Sequence, residues 1–340
     1  MCRLVQRRGI IGLFCLLFVA SSVVPGWAQK DNRFEVSKNL DIFNSLLKEV
    51  EMFYVDSVDV DKTVQRGIEA MLAGLDPYTE YYPEQKTEEL SLMTTGEYGG
   101  IGSLIRQRNN EGGVMIAEPT EGMPADLAGL KPGDLILAID TIDVSKATNS
   151  RVSELLKGVP NTKMVLTIQR PGEKKPRKFE ITRKQITTPQ VTYYGVKNDS
   201  IGYIYLKAFT IKSAQEVKEA FLDLKKNHNI KSLVLDLRGN GGGVLEGAVQ
   251  IVGMFVPKGS EVLSTKGKIK QWDRTYRTST EPLDTVMPLA ILINGGTASA
   301  AEIVSGSLQD MDRAVLVGQR SFGKGLVQAP RDLPYNGKVK

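Results

Sequence analysis

The sequence predicts an α/β protein in three parts: a helical N-terminal unit, a β-rich α+β segment, and a C-terminal region of alternating strands and helices. Three observations predict it. Apolar residues recur at helical spacing through residues 34–75, and short β-like runs punctuated by glycine follow. From Gln190 onward apolar strands are interleaved with helices, the pattern of a mainly parallel sheet covered by helices.

A leader precedes these parts. Arg3, Arg7 and Arg8 come before an apolar run from Gly9 to Val24, and Gly26 and Ala28 hold the small-residue positions of a cleavage site. Residues 1–28 therefore read as a secretory signal peptide cut after Ala28. The run is short and contains Gly12, Ser21 and Ser22, which favours cleavage over anchoring. The expected location is the periplasm or cell envelope, with membrane association if the signal stays uncut.

Composition narrows the chemistry. Cys2 and Cys15 both lie in the leader, so the processed chain has no thiol for disulfides, nucleophilic attack or zinc. His228 is the single histidine, which excludes a multi-histidine metal centre built by one chain, and no cofactor is expected. The net charge of +5 falls to +2 without the leader's three arginines, too little for a nucleic-acid footprint. The Lys/Arg cluster from Lys174 to Lys184 reads as a solvated hairpin.

Each element has its own signal. LDIFNSLLKEVEMFY and VQRGIEAMLAGL give two helices in the N-terminal region, residues 29–95, with Gly74 and Pro77 ending the second. TTGEYGGIG then opens residues 96–185, where IGSLIRQ, GGVMIAEP, DLILAID, KMVLTIQR and KFEITR read as strands. Between them PADLAG and NSRVSELLKG read as short helices, the second capped by Asn149 or Ser150. Residues 186–340 supply the strands SIGYIYLKAF, SLVLDLR, PLAILIN and RAVLVG, and the helices SAQEVKEAFLDLKKN, EGAVQIVGMFV and one after Ser299.

Three stretches of this last region carry candidate chemistry. In NGGTASAAE, Ser299 stands where strand gives way to helix among residues small enough for a substrate carbonyl to approach. A helix N-terminus also favours negative charge there. The same Ser-Ala-Ala-Glu is a capping box closed by Glu302, which by itself accounts for a serine. In DLRGNGGG, Asp236 to Gly243, glycines leave N–H groups exposed for an oxyanion hole shared with the N–H of Ala300. A dinucleotide fingerprint fails because G-N-G-G-G-V ends in valine.

The third stretch is RSFGKGLVQ, Arg320 to Gln328. A P-loop fails because Gly325 replaces the magnesium-binding Ser/Thr, so no nucleotide is expected. Lys324, flanked by glycines, can turn inward, and burial would lower its pKa enough to make it a base for Ser299. With LVQAP as strand, residues 324, 326 and 328 share a face, and Gln328 can hydrogen-bond the neutral amine. A solvated lysine in a Gly-Lys-Gly turn is the plain alternative.

LDPYTEYY from Leu75, GIGS (Gly100, Ile101, Gly102, Ser103), PADLAGLKPGDLILAID, DLRGNGGG, GGTASAAE and FGKGLVQ together give a resemblance to a known family. In this order they resemble the carboxyl-terminal processing proteases, also called tail-specific proteases, with a PDZ domain at residues 96–185. The loop Gly100–Ser103 suits a carboxylate nest, and the adjoining strand edge can accept an extended peptide. The resemblance implies a crotonase-like protease core over residues 186–340. It also implies Ser299 as nucleophile, Lys324 as general base, Gln328 as its orienting partner, and oxyanion N–H groups from Ala300 and Gly242 or Gly243. Family members continue through further strands, so the core is expected to be truncated at its C-terminal end.

The function expected is an exported serine endopeptidase that recognises the C-terminal tails of protein substrates, with apolar tails preferred and no cofactor. Its partners would be proteins or peptides with free C-termini, with a homo-oligomer or an adaptor protein as further possibilities. A non-catalytic PDZ adaptor that binds protein C-termini is the second reading. A hydrolase dependent on His228 is the third, although KNHNIK places that residue in a surface loop.

Overall fold

The computed structural model describes residues 32–108 and 112–340, so the leader and its cleavage site lie outside the described residues. The chain divides into two compact units, residues 1–75 and 76–340. In the first, Arg33–Phe53 runs as a helix without glycine or proline. Asp59 then caps the helix Val60–Ala73 by accepting the Lys62 N–H at 3.1 Å, and Gly74 is its C-cap.

The second unit opens with Tyr81–Tyr82, a short strand, and the helix Thr87–Thr95, which ends at Gly96 in the left-handed conformation (φ +72°). Six strands follow in an antiparallel sheet, Ser103–Gln107, Val114–Pro119, Leu135–Ile139, Lys163–Gln169 and Arg177–Thr182 in that spatial order, with the short Ile142–Asp143 paired to Leu135–Ile139. Val114, Ile116, Ile136, Val152, Leu166 and Ile168 are fully buried between this sheet and the helix Asn149–Leu156. That helix is capped by Thr148, not by Asn149 or Ser150. Thr148 keeps an extended backbone and its hydroxyl accepts the Arg151 N–H at 3.4 Å, so the helical turn starts one residue later.

The C-terminal region is built on a five-stranded sheet: β1 (Val191–Lys197), β2 (Ile201–Leu206), β3 (Ser232–Asp236), β4 (Leu289–Ile293) and β5 (Val315–Gly318), in that order. β1 is antiparallel to β2, and the remaining pairs are parallel. Helices α1 (Ser213–Asn227), α2 (Leu245–Gly253) and α3 (Ala300–Asp310) cover one face. Ile204, Leu206, Leu235 and Ile291 meet Val217, Phe221, Val252, Phe255, Val304 and Leu308 in a fully buried core, each such side chain contributing about 1.5–3 kcal/mol. Parallel strands place all their C-terminal ends on one edge, and the loops Asp236–Gly243 and Asn294–Ser299 both leave from it.

Two features depart from the sequence expectation. A hairpin, Glu261–Thr265 with Arg274–Arg277, lies between α2 and β4. Residues 321–330 are irregular chain and not strand. The N–H groups that a ladder would use are taken elsewhere: Phe322 donates to the Thr297 carbonyl at 2.9 Å, Gly323 and Lys324 donate to Glu302, and Gly323 sits at φ +88°.

Candidate active site

At the C-terminal edge of the sheet the two loops are stitched to each other. Asn294 Oδ1 accepts the N–H of Gly239 at 2.9 Å and of Gly296 at 3.0 Å. Thr297 Oγ1 donates to the Leu237 carbonyl at 2.8 Å. Asn240, fully buried, donates from Nδ2 to Leu206 O at 2.8 Å, and its carbonyl accepts the Ala298 N–H at 2.9 Å. Asn240, Asn294 and Thr297 were missed in the sequence, although polar side chains set among glycines mark a loop whose backbone needs side-chain partners. Replacing Asn240 by alanine takes the side-chain donor from the Leu206 carbonyl and the side-chain acceptor from the Gly242 N–H, and should cost about 1–3 kcal/mol in denaturant unfolding.

Before the glycine loop, Asp236 is buried and accepts from Tyr203 Oη at 2.6 Å and Arg238 Nη2 at 2.6 Å. Burial alone would raise the Asp236 carboxyl; the bonds from Arg238 and Tyr203 outweigh it and hold the group below the usual carboxylate range. These residues, with Tyr193, Tyr205 and Asn294, line an open cavity of ≈ 480 Å³ beside the loop.

Ser299 begins α3 at φ +56°, ψ −118°, a conformation that costs a non-glycine residue about 1–3 kcal/mol. Gly242 is pressed against it: a Cβ there would stand 2.7 Å from the Ala298 carbonyl and 2.8 Å from Ser299 Cβ. Of the glycine N–H groups expected to face an oxyanion, that of Gly242 donates to Asn240 Oδ1 at 2.9 Å. Those of Gly243 and Ala300 meet no acceptor among the described residues.

Glu302 organises the rest. Its Oε2 accepts the Ser299 N–H at 2.8 Å and the Lys324 N–H at 2.9 Å, while Oε1 accepts the Gly323 N–H at 2.6 Å and Ser321 Oγ–H at 2.7 Å. One carboxylate thus ties the backbones of Ser299 and Lys324 together across 25 residues of sequence, a larger task than the capping box assigned to it. Burial would raise its pKa; the donors from Ser321, Gly323, Ser299 and Lys324 prevail and lower it.

The Lys324 side chain is half-buried, and its Nζ bonds Gln328 Oε1 at 2.5 Å. Lys324 and Gln328 therefore meet without the shared strand face from which their pairing was expected. No hydrogen bond joins Lys324 to the Ser299 side chain among the described residues. Burial lowers the Lys324 amine below the ordinary lysine value, the nearby Lys340 ammonium acts in the same direction, and the Glu80 carboxylate opposes them. His228 lies at the C-cap of α1, before β3 begins and so at the opposite end of the strands, with its side chain 51% exposed.

In the middle segment Gly102 takes φ +67°, and the N–H groups of Ile101 and Gly102 meet no acceptor among the described residues. Gly100, Ile101, Gly102 and Ser103 line a narrow cleft of ≈ 40 Å³ with Ile105 and Leu156, and with Lys157 at its rim.

The peptidase family S41 model matches residues 200–340, and a PDZ domain model matches residues 115–170. A carboxy-terminal-processing protease of Bartonella bacilliformis is 35% identical over 339 residues, covering 98% of this chain and 77% of that protein. The chain belongs to the carboxy-terminal-processing proteases. Probable CtpA-like serine proteases of Staphylococcus aureus are 33% identical over 306 residues, and the alignment spans 89% of this chain and 60% of their length. Among solved structures, a photosystem II D1 C-terminal processing protease matches at 30% identity and TM-score 0.45 over 86% of this chain and 79% of that one. The Staphylococcus relatives are named serine proteases, and in this chain the PDZ match precedes the peptidase match, the order of segments found in the fold.

Proposed function

We propose that this chain is an exported serine endopeptidase that captures the free C-terminus of a protein substrate in its PDZ cleft and cleaves the chain near that end. Ser299 is the nucleophile and Lys324 the general base. The observation that carries the reading is the Glu302 carboxylate, which joins the backbones of Ser299 and Lys324 beside two unpaired N–H groups. Family membership favours catalysis over the adaptor reading.

The neutral Lys324 amine leaves Gln328 on its flexible stem and takes the proton of Ser299 Oγ as Oγ attacks the scissile carbonyl. The N–H groups of Ala300 and Gly243 receive the oxyanion. The lysine proton passes to the leaving amine, the C–N bond breaks, and an ester on Ser299 remains. Lys324 then deprotonates water, which attacks the ester; the acyl C–Oγ bond breaks, the lysine proton returns to Ser299 Oγ, and the product bearing the new carboxyl terminus leaves. The positive φ of Ser299 is backbone strain of the kind that active-site residues carry.

The PDZ cleft supports tail recognition through the N–H groups of Ile101 and Gly102 for a carboxylate and apolar walls from Ile105 and Leu156. The test is cleavage of an unstructured reporter ending in a free apolar residue, beside the same reporter with an amidated or a charged end. Amidation or a terminal charge should lower kcat/KM about tenfold or more by removing charge-assisted hydrogen bonds or apolar burial. Equal cleavage of all three reporters would refute tail recognition.

A further inference from the structure

Lys324 and Gln328 are both held by one residue from far upstream. The Tyr78 ring lies under Lys324 Nζ, 4.7 Å from its centroid, and the Tyr78 carbonyl accepts the Gln328 Nε2–H. An amide has one donor end and one acceptor end. With its NH2 group on the Tyr78 carbonyl, Gln328 must turn Oε1 toward Lys324.

The turn carrying Tyr78 is itself fixed. Asp76 Oδ1 accepts the N–H groups of Tyr78 and Thr79, both at 2.7 Å, and Asp76 Oδ2 accepts Thr79 Oγ1 at 2.8 Å. Just beyond it, Glu80 and Lys340 exchange both backbone hydrogen bonds, at 3.0 and 2.9 Å, and Tyr81–Tyr82 pairs with Lys338–Val339. The segment LDPYTEYY is thus a brace against the stretch that bears Lys324.

We propose that Tyr78 is a positioning residue for Lys324, its ring face holding the amine and its carbonyl the Gln328 amide in the resting position from which Lys324 reaches Ser299. The proposal rests on Lys324 being the base. An aromatic face attracts the ammonium and not the amine, so Tyr78 also sets the pH at which the base becomes available. The charged groups facing Lys324 are Glu80, which favours its charged form, and Lys340, which opposes it. Lys340 is in turn bonded to Glu80 at 3.1 Å and to Tyr82 Oη at 3.4 Å, and Glu302 engages only the Lys324 backbone.

The test compares the full chain with Tyr78→Phe, Tyr78→Leu, Tyr78→Met and Lys324→Ala, following the pH dependence of turnover and of Ser299 modification by a fluorophosphonate. Tyr78→Phe keeps both face and carbonyl and should match the parent. Tyr78→Leu keeps the carbonyl and loses the face. Its acid limb should move about 0.5–1 pH unit lower, because the charged lysine loses stabilisation. Its kcat should fall about tenfold with KM little changed. Should Tyr78→Leu not fold, Tyr78→Met serves in its place.

An unmoved acid limb in the folded variant, whatever its melting temperature, overturns the role given to Tyr78. If Lys324→Ala is as active as the parent, the dyad reading falls and this proposal falls with it. If Lys324→Ala is inactive and Tyr78→Leu matches the parent, only the Tyr78 proposal falls.

Discussion

Ser299→Ala and Lys324→Ala should each lower turnover of a tail-bearing reporter by on the order of 10⁴-fold or more, while its binding in the PDZ cleft is unchanged. The size follows from what is removed. Without Oγ no ester forms, and without the amine the Ser299 proton loses its acceptor, since Glu302, whose carboxylate holds the Ser299 N–H, already accepts four donors. The double variant should be no worse than either single one, because the two residues act as a unit. Additive losses would show that they act independently. Loss of tail binding would show that the substitutions disturb more than the chemistry.

Glu302→Ala should be the most damaging change outside the reacting groups. It leaves the N–H groups of Ser299, Gly323 and Lys324 and the Ser321 hydroxyl without their acceptor, a destabilisation on the order of 2–4 kcal/mol. Turnover should fall by roughly 10²-fold as Ser299 and Lys324 lose their common tether. The pH dependence has a definite sign. The Glu302 pKa is lowered in the folded chain, so its contribution is present above the unfolded value and disappears as pH falls through the folded one. The stability gap between parent and Glu302→Ala should therefore narrow below about pH 4.3, as denaturant midpoints across pH would show. A gap constant from pH 7 to pH 3 would mean that the carboxylate charge is not what holds the two segments.

Much of this was legible in the sequence for identifiable physical reasons. The core sheet announced itself because its central strands are buried on the helix-covered face and read as apolar runs, as in SLVL and LAILI. Lys324 and Gln328 were visible as a pair, yet for a reason the fold does not use: the strand that was to align them is irregular chain, and Tyr78 and Glu302 align them instead. Periodicity carries no information about such contacts, since Gln328 and Tyr78 stand 250 positions apart. Glu302 was legible only in its local role, because a capping box is a short-range pattern and its bonds to Ser321, Gly323 and Lys324 are tertiary. The choice between Gly242 and Gly243 likewise waited on Asn240, whose side chain occupies one of the two N–H groups.

The measurement that tests the central claim most directly needs no knowledge of the natural substrate. The full chain is treated with a fluorophosphonate across a pH series, and the site and rate of modification are read by intact mass and peptide mapping. The dyad predicts a single adduct on Ser299 whose rate of formation rises through one ionisation below the ordinary lysine value and collapses in Lys324→Ala. An adduct elsewhere, or one on Ser299 that forms as fast without Lys324, would contradict it.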